Sequence, residues 1–169
     1  MRAVAITICA VVVIAAVAVR VSSRAMRPVA PASTSAQFGP AESRIVEFVN
    51  DARTRASLAP LVLFDRLLIA ARAHRQDLAA YRYLGHESGP GDAPADRVRA
   101  VGIDYEELAE NLLSDRGPDL DALPERALTI WPASPTPRGK LLAPQFRTAA
   151  VAIARAVDGS FFVTLDLKY

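Results

Sequence analysis

The feature that most constrains the fold lies at the C-terminal end, where two apolar runs flank a short turn. Residues 149–157 and 161–167 are apolar at nearly every position, the exceptions being Arg155, Thr164 and Asp166. Asp158-Gly159-Ser160 lies between them, and Asp-Gly supplies the positive φ angles of a tight hairpin. A strand that is apolar on both of its faces is usually covered on both. The sequence therefore predicts a hairpin buried between two layers.

The segments before this hairpin carry apolar residues at helical spacing, which predicts helices. Asp65 is a plausible N-cap for the second of them, and Pro124 suits the first turn of the last. The prolines at positions 132, 135 and 137 are expected to end that last helix. The predicted helices cover residues 42–56, 65–83, 97–101, 105–112 and 124–131.

Helices that precede a doubly covered hairpin predict an α+β fold, a three-layer α-β-α sandwich with a small antiparallel sheet. A length of 169 residues suits a single domain. The single cysteine excludes a disulfide framework within the chain and any cysteine-based zinc site. The domain must therefore rely on its apolar core for stability.

The N-terminal segment has the character of a targeting sequence. Residues 3–19 form an uncharged apolar run. Its length lies between that of a secretory apolar region and that of a membrane-spanning helix. Arginines at positions 20, 24 and 27 follow directly, which weakens a simple signal peptide because positive charge resists translocation. We predict a signal peptide or N-terminal membrane anchor over residues 1–27, a Pro/Ala/Ser linker over 28–40 and a domain over 41–169. The expected location is extracellular, periplasmic or anchored to the membrane through residues 3–19.

The charge distribution argues against nucleic-acid binding. The formal net charge is +2, but residues 1–41 hold four arginines and no acidic residue. Residues 42–169 therefore carry 16 basic and 18 acidic side chains. Nucleic-acid binding needs clustered basic side chains that neutralise phosphates, and the domain shows no such cluster.

Four short segments follow one another along the chain: IVEFVNDAR with LAPL at 45–61, AHRQDLA with YLGH at 73–86, DR, G and ENL at 96–112, and WPASP with RGKLL at 131–142. In this order and spacing they resemble the bacterial branch of the CAP superfamily, also called SCP-like domains. The resemblance covers residues 42–167 and implies a secreted α-β-α sandwich.

The resemblance also implies a cleft with a metal-binding tetrad of two histidines and two acidic residues. His86 matches the first histidine and Glu110 matches one acid, whereas Pro137 stands at the second histidine and no second acid is identifiable near Trp131. Proline has no ligand atom, and two protein ligands do not hold zinc tightly. We therefore expect no tight zinc or calcium site and no cofactor. The expected cleft-lining residues are His86, Glu110, Asn111, Trp131, Ser134 and Arg138.

Some of these residues have simpler interpretations. His74 lies on the apolar face of a helix and is expected to be structural. Trp131 is expected in the core rather than as a ligand platform. Glu110 could instead belong to a solvated helix face shared with Glu106 and Glu107.

Three functions stay open. The first is an exported or membrane-anchored domain that binds a lipid, an envelope component or another protein without catalysis. The second is a weak hydrolase in which His86 and Glu110 act as an acid/base pair. The third is a structural domain tethered at the membrane. The sequence favours the first, so that an enzyme is the less expected outcome.

Overall fold

A computed structural model describes residues 37–90 and 92–169. The predicted leader (1–27) and most of the predicted linker (28–40) lie outside the described residues. Within the described part, no helix combines the length and the apolar character that a membrane crossing requires. In chain order the elements are α1 (Pro40–Arg55), β1 (Val62–Leu63), α2 (Asp65–Tyr81), α3 (Pro94–Ala100), β2 (Leu108–Asp115), α4 (Leu123–Ala133), α5 (Pro135–Leu141), β3 (Thr148–Arg155) and β4 (Phe161–Lys168).

The strands form one sheet in the order β1-β3-β4-β2. β4 is central and pairs antiparallel with β3 and β2 over eight residues each. The short β1 adds to β3 in parallel. The predicted α+β fold with an antiparallel sheet is confirmed, and β1 is a parallel addition that the sequence analysis did not predict.

Both faces of the sheet are covered, as the apolar hairpin predicted. Along β4, side chains alternate between the two faces. Val163 and Leu165 pack with Ile45 of α1 and Trp131 of α4 in one core cluster. Phe162 packs on the opposite face with Leu78 of α2. Helices on both sides of one sheet give the three-layer sandwich.

The hairpin turn has the expected chemistry. Gly159 has a φ of +86°, a left-handed conformation that glycine adopts without a Cβ clash. Asp158 Oδ1 accepts hydrogen bonds from the backbone N–H of Ser160 at 3.1 Å and from its hydroxyl at 2.6 Å. The turn is therefore fixed by its own side chains as well as by the strands it joins.

A buried arginine connects α1 to the segment that follows α5. Arg53 is fully buried, and its guanidinium donates only to backbone carbonyl groups. The charge is solvated by main-chain dipoles, which is how a buried cation avoids the cost of leaving water. The four accepting carbonyls are those of Ala59, Leu141, Ala143 and Phe146, at 2.8–3.1 Å.

Three predictions of local structure were wrong. Asp65 is the first residue of α2 and not its N-cap, which is Phe64. Residues 105–112 were predicted as a helix, but Leu108–Asp115 forms β2. The spacing of Tyr105, Leu108 and Leu112 imitates a helical face, whereas the eight-residue pairing with β4 determines the outcome. Pro132 does not end α4, because it lies inside the last turn, and Pro135 begins α5 as its first residue.

Candidate functional site

The loop between α2 and α3 carries His86, and His74 holds that loop in place. The ring of His74 is fully buried, and its Nε2 donates to the carbonyl of Gly85 at 2.9 Å. Its Nδ1 accepts from the Ser88 hydroxyl at 3.0 Å, and that oxygen accepts in turn from the Tyr83 hydroxyl at 3.0 Å. Burial is the main cause that lowers the pKa of His74. The prediction of a structural histidine is confirmed.

His86 and Glu110 form a direct hydrogen bond. Nδ1 of His86 lies 2.7 Å from Oε1 of Glu110. A carboxylate can only accept, so Nδ1 carries the proton and Nε2 of the ring is the nitrogen left for a ligand. The His86 side chain is 53% exposed, whereas that of Glu110 is 2% exposed. The buried carboxylate of Glu110 thus orients the imidazole of His86, which is half-exposed to solvent.

Arg97 of α3 fixes both members of this pair. Its Nη2 donates to the second oxygen of Glu110 at 2.7 Å, with both side chains nearly buried. Its Nη1 donates to the carbonyl of His86 at 3.1 Å and to that of Asp92 at 2.5 Å. A single guanidinium therefore neutralises the carboxylate and holds the loop at two points, His86 and Asp92.

A second carboxyl group lies next to Glu110. Asp166 of β4 is the direct partner of Glu110 in the β2–β4 register and is 1% exposed. Burial is the largest cause that raises the pKa of Asp166 well above its usual range, followed by the charge of Glu110. Its Oδ1 has no hydrogen-bond partner within the described residues. Burial beside the charge of Glu110 therefore favours the neutral, protonated form of Asp166 over the ionised form.

His86 and Glu110 line an open pocket of about 400 Å³. Lys140 of α5 reaches the same pocket, and its Nζ donates to the backbone carbonyl of Glu110 at 2.8 Å. The pocket thus combines two basic groups with apolar walls, the composition usual for ligand sites. The remaining lining residues are Ala93, Pro94, Ala95, Tyr105, Leu108 and Ala109.

The other four predicted cleft residues lie elsewhere. Asn111 follows Glu110 in β2, so its side chain points to the opposite face of the sheet, where it donates to the carbonyl of Pro137 at 3.1 Å. Trp131 is buried on that same face and donates to the carbonyl of Leu112 at 2.9 Å, which confirms it as a core residue. Ser134 and Arg138 are exposed around the start of α5 and do not line the pocket.

Three residues of the site were not predicted: Arg97, Lys140 and Asp166. Arg97 and Lys140 lie in the segments that carry the family resemblance, but the sequence alone does not show what they touch. Asp166 had a clearer signal, because it is a carboxyl group in a run that is otherwise apolar. A buried acidic residue requires a partner or a proton, which would have marked it as part of a polar cluster.

The metal site that the family resemblance implies does not fit these residues. Both oxygens of Glu110 are engaged by His86 and Arg97, and the side-chain cation nearest the pocket is Lys140. Among the residues described by the structure, no group of three or more His, Cys, Asp or Glu side chains is arranged to hold a metal ion. One free imidazole nitrogen, beside a carboxylate whose two oxygens are both engaged, supplies fewer than the three protein ligands that a catalytic zinc site normally has.

The comparisons with known proteins decide the family. The model of the family described as "CAP: Cysteine-rich secretory protein family" matches residues 46–167. The chain belongs to the CAP family. The match covers both helical layers and the whole of the terminal hairpin, so the predicted resemblance is confirmed.

Individual relatives agree with this assignment. The Bacillus subtilis protein YkwD is 32% identical over 117 residues, which are 69% of this chain and 42% of YkwD. An extracellular SCP-domain protein from Bacillus anthracis superposes with a TM-score of 0.64 at 22% identity, covering 78% of this chain and 44% of the other. An outer surface protein from Borrelia burgdorferi gives a TM-score of 0.66 at 18% identity, covering 75% of this chain and 90% of the other. The chain thus spans less than half the length of the two Bacillus relatives, and the two structures show the shared fold.

Proposed function

We propose that this CAP domain acts by binding, with the pocket around His86 as its recognition site. The observation that carries the proposal is the half-exposed imidazole held at 2.7 Å by the buried carboxylate of Glu110. A fixed ring with one free nitrogen is a preorganised hydrogen-bonding group, which lowers the entropic cost of binding. The ligand classes we consider are a lipid, a cell-envelope component and another protein.

The composition of the pocket favours binding over covalent catalysis of the serine or cysteine type. The nine lining residues include no serine, threonine or cysteine. Lys140 donates hydrogen bonds, whereas the free Nε2 of neutral His86 accepts one. The pocket therefore suits a ligand that presents a strong acceptor, such as a carboxylate or phosphate oxygen, beside a donor such as a hydroxyl or amide group. The pocket also distinguishes this proposal from a purely structural tether, which needs no cleft at this position.

We further propose that the domain works outside the cytoplasm, exported or held at the membrane by its N-terminal segment. The support is the uncharged run at residues 3–19 together with the printed descriptions of two structural relatives as extracellular and outer surface proteins. Sequencing the N-terminus of the mature protein recovered from fractionated cells tests this. A mature chain that keeps residues 1–27 and lies in the cytosolic fraction would contradict export.

Co-sedimentation of the full chain tests the binding proposal. The probes are peptidoglycan sacculi and, separately, vesicles of anionic or zwitterionic phospholipid. We expect saturable binding to at least one probe, weakened about tenfold by His86→Ala because the oriented acceptor Nε2 and its hydrogen bond to the ligand are lost. Gln76→Ala, an exposed change on α2, is the matched control and should leave binding unchanged. Equal binding by wild type and His86→Ala would refute the proposal.

A weak hydrolase is the second candidate, and the same 2.7 Å contact favours it because a general base needs hydrogen-bond reach and an orienting partner. The assay is turnover of peptide, ester and peptidoglycan substrates by the full chain. Turnover lost in both His86→Ala and Glu110→Gln would establish this candidate in place of a pure binding role. Turnover that survives both changes would show a contaminating enzyme and leave no support for the hydrolase.

A further inference from the structure

A free edge of the sheet borders the His86 pocket. β2 is the last strand in the order β1-β3-β4-β2, and its residues Leu108, Ala109 and Glu110 line the pocket. In an antiparallel pair, the N–H and C=O of one residue both point toward the partner strand or both point away from it. Alternate residues of β2 therefore direct their backbone groups outward, beyond the sheet.

Two contacts show which residues of β2 face outward. Lys168, the partner of Leu108, accepts at its C=O from the backbone N–H of Arg147 at 3.0 Å, on the side of β4 away from β2. The backbone groups of Leu108 therefore point to the free edge. The C=O of Glu110 also points there, because it accepts from Lys140 at 2.8 Å. The C=O of Leu108 and the N–H of Glu110 have no hydrogen-bond partner among the described residues.

The pocket places one unpaired positive charge beside this edge. Lys140 forms no ion pair with a described residue, and only one of its three ammonium donors is used, on the C=O of Glu110. The carboxylate of Glu110 is balanced by Arg97 at 2.7 Å. Two donors of Lys140 are therefore available to an anionic group of the ligand.

Most of the remaining lining is small and apolar. These residues have no hydrogen-bonding side chain, and they leave space for a small apolar group within about 400 Å³. Nε2 of His86 is the acceptor on the exposed side. The pocket thus suits a ligand that combines an anion, a nearby N–H and a small apolar group. The apolar lining residues are Ala93, Pro94, Ala95, Leu108 and Ala109.

We propose that the His86 pocket binds the C-terminal end of an extended peptide whose last residue has a small apolar side chain. The terminal carboxylate accepts from Lys140, and the last amide N–H donates to Nε2 of His86. The preceding peptide backbone pairs with the C=O of Leu108 and the N–H of Glu110, as when a strand adds to the edge of a sheet. This inference rests on the proposed function and names the chemical class of the ligand.

Titration of the full chain with the tripeptide acetyl-Gly-Ala-Ala, followed by NMR of the backbone amides, tests the proposal. The N–H signal of Glu110 should shift downfield and saturate, because this group gains an acceptor. Two analogues each remove one feature. The C-terminal carboxamide lacks the charge, and the ester analogue with lactate as its last unit lacks the last N–H. Each should bind about tenfold more weakly than the tripeptide, because one hydrogen bond to an oriented group is lost.

Variants assign each feature to its residue. Lys140→Met should weaken tripeptide binding about tenfold and should abolish the difference between the tripeptide and its carboxamide. His86→Ala should abolish the difference between the tripeptide and its ester analogue. Arg138→Met removes the same charge from the same helix, α5, outside the pocket. This matched control should bind the tripeptide like the wild type.

The outcomes separate this inference from the proposed function. Equal binding of the tripeptide and its carboxamide by the wild type would overturn the inference without any variant. Equal weakening by Arg138→Met and Lys140→Met would also overturn it, because the effect would then be one of general charge. If sacculi or vesicles bind in a manner that depends on His86 but the tripeptide does not bind, this inference fails and the proposed function stands. Failure of all these probes removes both.

Discussion

Replacing Arg97 by methionine tests the electrostatic logic of the site most directly. The guanidinium is 4% exposed and donates at 2.7 Å to a carboxylate that is 2% exposed. Methionine keeps much of the side-chain volume but supplies no charge and no donor. The variant therefore leaves Glu110 buried without its cation and beside the carboxyl group of Asp166.

The expected loss of stability follows from that burial. Breaking a buried ion pair by removing one partner typically costs ~3–5 kcal/mol, since an uncompensated charge remains. Arg97 also donates to the carbonyls of His86 and Asp92, so the lost loop contacts add to the cost. Replacing Glu110 by glutamine in the same chain removes the stranded charge. The double variant should therefore be more stable than Arg97→Met alone.

Urea denaturation at neutral pH of the wild type, both single variants and the double variant gives the coupling free energy. We expect a favourable coupling between Arg97 and Glu110 of about 2–4 kcal/mol, because contacting charges do not behave additively. The slope of the denaturation curve must stay constant for the comparison to hold. Additivity within ~0.5 kcal/mol would show that the two charges are independent and would refute this account of the site.

The remaining predictions concern the buried groups. Asp166 has a raised pKa in the folded state, so its own contribution to stability should fall as pH rises above ~3.9. Asp166→Asn should therefore gain stability relative to the wild type over that range, and parallel curves for the two proteins would contradict this. Arg53→Met should cost at least about 3 kcal/mol in urea denaturation, since four carbonyls lose a charged donor. Trp131→Ala should cost ~3–5 kcal/mol by the same measurement. Zinc titration by calorimetry should show no tight binding, and micromolar affinity lost in His86→Ala would overturn that prediction.

The sequence predicted those parts of the fold where a single signal dominated. The terminal hairpin combined continuous apolar runs with an Asp-Gly turn, and both strands and the covered faces are as predicted. The first helix was also predictable, because its apolar face repeats regularly along 42–56. β2 was not, because its apolar residues fit both a helical and an extended spacing, and only pairing with β4 selects one.

The site was predictable only where the family resemblance named a residue. His86 and Glu110 were named, and Nδ1 of His86 lies 2.7 Å from Oε1 of Glu110. The residue after Glu110 was also named, but extended backbone sends Asn111 to the other face. The contribution of Arg97 depends on a short helix that packs beside β2, and no spacing in the sequence shows that contact.

The two faces of the sheet differ in the side chains that they carry, and β2 shows the difference most clearly. Glu110 points to the face covered by α2 and α3. There its Oε2 accepts from Arg97, which balances the charge, and its Oε1 orients His86. Asn111 and Leu113 point to the face where the main core packs under α1 and α4. Because the two faces share only backbone, changes to the polar side chains around Glu110 should alter binding more than folding, provided that they leave no stranded charge and spare the apolar clusters of that face. Arg97 is the informative exception, since the same side chain balances the charge and holds the loop that presents the imidazole.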